Sequence, residues 1–239
     1  MYPNFEYEKW ALSIQSRYHL DGGGQHLALT FERYIKNSKL KRPYYDNLLE
    51  MGCGPAWIGL WLHHRGYCRN LTLSDINPQA IHCVNSTIKN NEINNVQVFH
   101  SNLFNDIPRD MKFDCIVFNP PNYYEIQHDH ILGFLGTDLR ACDAGWKLHH
   151  NFYKQAAKHL SEDGTIFITE VAPYDREVII DDEVYDRRPA QPMIEFVQMT
   201  VEAGLEIVKA DKVSTKTFLD DLGVGIFMLQ VKHKGTTNE

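Results

Sequence analysis

Leu48-Leu49-Glu50-Met51-Gly52-Cys53-Gly54-Pro55-Ala56-Trp57-Ile58-Gly59 is the stretch on which the fold turns. An apolar run enters a turn with glycine at 52 and 54, and a helix-like segment, Trp57–Arg65, follows. Glycine belongs where the backbone must bend sharply and let a ligand approach without a Cβ in the way. A dinucleotide fingerprint would carry a third glycine three positions after the second. Trp57 stands there, so dinucleotide binding is not favoured. What remains is E-x-G-x-G, an acid at a strand end suited to a cationic ligand. Alone, the stretch has a plainer alternative, a tight strand-to-helix turn.

Working outward, apolar strand-like runs recur at Asn47–Met51, Leu71–Ser74, Val96–Phe99, Phe113–Phe118, Thr165–Val171, Leu205–Lys209 and Ile226–Val231. Helix-like segments lie between them at Trp57–Arg65, Pro78–Asn90, Leu148–Leu160 and Met193–Ala203, with another before them at Gln25–Lys36. Asn77-Pro78 places a cap and a first-turn proline at a helix start. Ser161-Glu162-Asp163-Gly164 reads as a helix end before a strand. Strands alternating with helices imply a doubly wound, mostly parallel seven-stranded α/β sheet covered on both faces. The last two strands lack a helix between them and are expected as an antiparallel edge pair. Two segments read as long loops at strand ends, Tyr123–Gly145 and the charged Pro173–Pro192. Open α/β sheets bind ligands at such ends.

The chain has 239 residues, enough for one sizeable core. The expected organisation is a helical or cap segment over 1–44 and a ligand-binding domain over 45–239. No apolar run reaches the roughly 20 residues that cross a bilayer, and the first residues lack an export signal. Five scattered cysteines read as reduced thiols, so a cytoplasmic setting and no membrane partner are expected. A net charge of −7 without a long Lys/Arg run favours a small-molecule or protein-like substrate and makes nucleic acid unlikely. Oligomeric state is not legible.

Three further groups carry chemistry. Asp75 closes the second strand, 21 positions beyond Gly54, where a carboxylate can accept both hydroxyls of a ribose; capping the next helix is its alternative. Ser101-Asn102-Leu103-Phe104 follows the third strand, a polar and apolar pair suited to a flat base or to an ordinary loop. The fourth strand runs into Asn119-Pro120-Pro121-Asn122-Tyr123-Tyr124. Two prolines stiffen the exit and leave carbonyls without intrachain partners. With the Asn119 side-chain carbonyl they form acceptors for an amino group, turning its lone pair toward an electrophile. The aromatics after them can stack on a planar group.

These residues resemble the class I S-adenosylmethionine (SAM)-dependent methyltransferases, in the branch with an N-P-P-[Y/F] signature. That branch includes protein-glutamine N5-, adenine N6- and ribosomal guanine N2-methyltransferases. The resemblance runs from about Asp46 to Val231. It implies the Rossmann-like class I methyltransferase fold with SAM across the strand ends. Glu50, Gly52, Cys53 and Gly54 are then expected at the methionine half, Asp75 and Ile76 at the ribose, and Asn102 and Leu103 at adenine. Asn119, Pro120, Pro121, Asn122 and Tyr123 become the catalytic set, with Asn119 also touching SAM. Tyr18, Tyr124 and Tyr174 are expected on the substrate. This chain departs from the signature with Asn122 in the aromatic place and Asn102 where Asp is common.

The implied activity is N-methylation of an amine or amide. Two alternatives stand beside it: intramolecular use of SAM, as in azetidine-2-carboxylate formation, and methylation of an RNA base. The helical recognition domain of protein-glutamine methyltransferases does not fit in forty residues. His63-His64 and His149-His150 lie on helices, where neighbours point about 100° apart, so no metal is expected.

Overall fold

The computed structural model describes residues 4–7, 12–16, 20, 24–38, 44–122, 143–180, 183–189, 192–213 and 224–235. A short antiparallel pair, β1 (Asn4–Tyr7) and β2 (Leu12–Gln15), precedes α1 (Gly24–Asn37). Then come β3 (Tyr45–Met51), α2 (Trp57–His64), β4 (Cys68–Asp75), α3 (Pro78–Asn90), β5 (Val96–His100) and β6 (Phe113–Phe118). After these follow α4 (Lys147–His159), β7 (Leu160–Ile180), β8 (Glu183–Pro189), α5 (Pro192–Glu202), β9 (Leu205–Lys212) and β10 (Val224–His233).

The strand order is β5-β4-β3-β6-β7-β10-β9, with β8 paired to β7 alone. β3 pairs in parallel with β4 and β6, β4 pairs in parallel with β5, and β9 and β10 are antiparallel. This is the doubly wound seven-stranded sheet expected from the alternating pattern, with its antiparallel edge pair. The order reverses between β3 and β6, which opens a crevice beyond their carboxyl ends.

The chain forms two compact units, residues 1–119 with 158–167, and residues 120–157 with 168–239. In the first, Leu48, Leu49, Glu50 and Met51 are successive buried positions, as a strand covered on both faces requires. The segment before β3 is not helical throughout. Asn91 takes the Ser13 N–H on Oδ1 at 2.9 Å and donates to the Ser13 carbonyl at 2.8 Å, fastening β2 to the end of α3. Glu32 of α1 receives the Trp61 indole N–H at 2.7 Å and the Tyr67 hydroxyl at 3.2 Å, tying α1 to α2. Trp57 and Trp61 are buried, in keeping with core packing.

Two boundaries differ from the sequence reading. Ser161–Gly164 lies within β7 rather than ahead of it. A Cβ on Gly164 would sit 2.7 Å from Leu160 Cδ1 and 2.9 Å from the Ser161 carbonyl oxygen, so the position favours glycine. The charged stretch after Pro173 is not a loop: β7 continues to Ile180 and pairs antiparallel with β8, Ile180 opposite Glu183 and Tyr174 opposite Pro189. A facing strand satisfies those backbone groups, which composition alone cannot reveal. Residues 123–142, within the other expected loop, lie outside the described residues. No helix among the described residues is long and apolar enough to cross a membrane.

Candidate functional site

The tips of four strands align through their register: Met51 lies opposite Ser74 and Phe118, and Asp75 opposite His100. The glycine turn leaves β3 at this level. Gly54 adopts φ +51°, and a Cβ there would lie 2.9 Å from the Leu20 carbonyl oxygen. Both the conformation and the close approach therefore require glycine. The turn is stitched to β4, since Cys53 N–H donates to the Ser74 carbonyl at 3.0 Å.

Asp75 is the fixed point of this corner. Its Oδ2 accepts the Gly54 N–H and its Oδ1 accepts the Asn77 N–H, each at 2.7 Å. Each carboxylate oxygen retains a lone pair for an incoming hydroxyl. Burial raises its carboxyl above the usual range, partly offset by those two N–H groups. Asn77 caps α3, its side chain accepting the Gln79 N–H at 2.9 Å with Pro78 in the first turn. Asp75 is thereby spared that role. Ile76, next along, leaves 62% of its surface exposed, unusual for an apolar side chain at a strand end. The His100 ring fixes its backbone through the Ile76 carbonyl at 2.9 Å.

Glu50 does not stand open to the crevice. It is 3% exposed, and its Oε2 accepts the Gly59 N–H at 2.7 Å within the first turn of α2. That helix has no capping side chain at Ala56, so a buried carboxyl from the preceding strand supplies the missing acceptor. A Cβ on residue 59 would fall 2.6 Å from Glu50 Oε2, which explains the glycine. Burial pushes the Glu50 carboxyl up to about 8, against the pull of the Gly59 and Ile58 N–H groups.

The third-strand turn holds Asn102 exposed and Leu103 buried with φ +54°. The chain is pinned by Ser101, whose N–H reaches the Asp75 carbonyl at 2.9 Å and whose Oγ accepts the Asp106 N–H at 3.0 Å. Asn119 is the first residue past β6 and half-buried, one step beyond the Phe118–Met51 pair. Glu50, Gly52, Cys53, Gly54, Asp75, Ile76, Asn102, Leu103 and Asn119 thus all belong to one end of the first unit. In the second unit Pro120 is buried, Pro121 and Asn122 are half-buried, and Asn122 Oδ1 is enclosed with no donor on it among the described residues. Tyr18, Tyr123 and Tyr124 lie outside the described residues, and Tyr174 is described by its backbone pairing alone.

Leu20 escapes sequence reading because its contribution is a backbone oxygen. Glu170 is marked in the sequence as the one charged residue in the strand-like run Ile166–Val171, and a charge in such a run announces a buried partner. Among the described residues no group of His, Cys, Asp and Glu side chains is arranged to hold a metal ion.

Residues 12–133 match the family model of the methyltransferase small domain. Over 157 residues the chain is 31% identical to the ribosomal RNA small subunit methyltransferase C of Haemophilus ducreyi, covering 65% of this chain and 40% of that protein. Over 122 residues it is 30% identical to the release factor glutamine methyltransferase of Aquifex aeolicus, covering 49% and 43%. The chain thus spans about two fifths of the length of these relatives. Among solved structures, the ribosomal protein L11 methylase of Lactobacillus delbrueckii subsp. bulgaricus superposes with a TM-score of 0.56 at 16% identity, covering 88% of this chain and 78% of that one.

Proposed function

Because the chain belongs to the methyltransferase small domain family and is a SAM-dependent class I methyltransferase, we propose that it methylates an amino or amide nitrogen held by Asn119 and Pro120. The reading rests on the exit of β6. A buried parallel strand ends beside the glycine turn and leads straight into Asn119-Pro120-Pro121, where an acceptor side chain stands beside a carbonyl that proline geometry keeps out of the sheet.

The residues of the first unit suit the cofactor. Asp75 offers two anchored oxygens for a diol, and exposed Ile76 offers apolar surface to one face of a flat base. Gly52 and Gly54 supply the left-handed backbone that turns the chain at the β3 tip, and Asn102 supplies an amide at the neighbouring tip. When bound, SAM supplies an electrophilic methyl carbon on a sulfonium, so no metal is needed. Asn119 Oδ1 and the Pro120 carbonyl then accept the N–H groups of the acceptor and direct its lone pair at that carbon. The nitrogen–carbon bond forms as carbon–sulfur breaks, and the surplus proton passes to water. Positioning of this kind can lower a barrier by on the order of 7 kcal/mol.

The acceptor class stays at the level of the nitrogen. Relatives named for ribosomal RNA and for release-factor glutamine each match a large part of this chain, so the acidic balance does not set nucleobases aside. A second reading draws on Asn122: its enclosed Oδ1, without a donor among the described residues, suits a primary amine, including SAM's own.

Two substitutions test the assignment together. Asp75→Ala removes two acceptors and should weaken SAM binding in calorimetry by roughly thirtyfold, about 2 kcal/mol. Asn119→Ala should slow transfer by about a hundredfold while weakening SAM binding far less than Asp75→Ala does. Equal SAM affinity in wild type and Asp75→Ala would remove the proposed ribose contact. Undiminished transfer by Asn119→Ala would remove the proposed acceptor contact.

A further inference from the structure

β5 ends at His100, which faces Asp75 across the parallel pair. From this neighbouring tip the chain leaving β4 is held at two successive carbonyls. Ser101 N–H donates to the Asp75 carbonyl at 2.9 Å, and His100 Nε2 meets the Ile76 carbonyl at 2.9 Å. A carbonyl only accepts, so Nε2 carries the hydrogen and His100 is the donor. All four residues belong to the first unit.

The Ile76 carbonyl and the Asn77 N–H are the two ends of one peptide group. That group is planar, so its ends turn together. His100 holds the carbonyl end, and Asp75 Oδ1 takes the N–H end at 2.7 Å. The imidazole and the carboxylate therefore grip one rigid plane from opposite edges. Donation to the carbonyl also polarises the peptide and strengthens its N–H as a donor to Asp75. Asp75 Oδ2 is tied to the Gly54 N–H at 2.7 Å. With both oxygens fixed in this way, their remaining lone pairs have set directions.

Folding alone gives a weak reason for this histidine. It is exposed, and its bond lies at a strand tip rather than in the core. Replacing a surface side chain of this kind usually changes stability little. Ile76 beside it, 62% exposed, buries little of its own surface. The ring reaches Asp75 by a second route as well. Burial raises the Asp75 carboxyl above its usual range, and a charged His100 works against that rise. An uncharged donor in place of the ring would keep the first route and lose the second.

We infer that His100 is a positioning residue for the cofactor's ribose: through the Ile76–Asn77 peptide it aims the Asp75 carboxylate at the two hydroxyls. This rests on the methyl-transfer reading above, which puts the ribose of SAM at Asp75.

The test is calorimetry on the full chain with two ligands: S-adenosylhomocysteine, and its counterpart with both ribose hydroxyls replaced by hydrogen. Wild type is compared with His100→Phe, which keeps a ring without a donor, and with His100→Gln, whose amide restores an uncharged donor. His100→Phe is expected to bind S-adenosylhomocysteine about fivefold more weakly, and the hydroxyl-free ligand within about twofold of wild type. His100→Gln should return S-adenosylhomocysteine to within about twofold of wild type. Melting temperatures without ligand should agree to within about 2 °C. Unchanged affinity in His100→Phe, equal weakening of both ligands, or no recovery in His100→Gln would each overturn the inference. So would a ligand-free His100→Phe that melts well below wild type, since the ring would then be holding the fold. The proposed function fails differently. Wild type that binds neither ligand overturns that reading and this inference with it, whereas wild type that binds both alike removes the ribose contact of Asp75 and hence the role of His100 alone.

Discussion

Glu50 carries the sharpest lesson about a single residue. Its type and place suggest a cation partner, but its Oε2 accepts from the first turn of α2, and burial holds the carboxyl up to about 8. At pH 7 it is therefore mostly protonated while the crevice is free of cations. If the ammonium group of SAM settles near it, the ionised form is favoured and a proton leaves. Calorimetry of SAM binding at pH 7 in buffers of different ionisation enthalpy should then report release of about half to one proton per site. Glu50→Gln should abolish that release. Identical binding enthalpies across buffers would mean that Glu50 serves α2 alone.

At the scale of elements, legibility followed how local the determining interaction is. The bounds of α3 are set by Asn77 and Pro78 within a few residues of its start, and β6 by an unbroken apolar run; both were legible as they stand. The β7–β8 ribbon was not, because pairing of Tyr174 with Pro189 and Ile180 with Glu183 depends on a facing strand. The strand-tip positions of Gly54, Asp75 and Asn119 were legible because the alternating pattern locates strand ends. The buried cluster of His149 with Asp143 and Glu170 was not, because the two carboxylates facing its ring nitrogens are 27 positions apart and meet only through the fold. The α2 turn yields a prediction of its own. Gly59→Ala drives a methyl group into Glu50 Oε2 and sits 2.9 Å from Leu73 Cδ2. Chemical denaturation should show a loss of about 2 kcal/mol or more, and SAM binding should weaken with it as the glycine turn shifts. An alanine variant of wild-type stability would contradict the packing described for β3 and α2.

At the scale of the whole molecule, buried titratable groups set the pH dependence of stability, and Glu50, His149, Asp75 and Glu170, all held above their ordinary values, act with the same sign. Glu50 titrates near 8 when folded against about 4.5 for an ordinary glutamate, so its folded form keeps a proton that the unfolded chain gives up. His149 does likewise, near 9 against 6.5. Each contribution is complete below the unfolded value and is lost as pH rises through the folded one. Asp143, held low, acts oppositely and matters only in acid. The melting temperature should therefore fall between pH 6 and pH 9, by roughly 5–10 °C. Glu50→Gln should flatten the part of the decline below pH 8, and His149→Phe the part above pH 7. A melting temperature that is flat or rising over this range would contradict the burial of both groups.

Transfer of a methyl group to nitrogen is the central proposal. Its most direct test is mass spectrometry of the products after incubation with SAM bearing a carbon-13 methyl group and a panel of RNA, peptide and small amine acceptors. The expected result is S-adenosylhomocysteine in equal amount to a labelled N-methyl product. Methylthioadenosine accumulating with no acceptor present, or label recovered on oxygen or carbon, would contradict it.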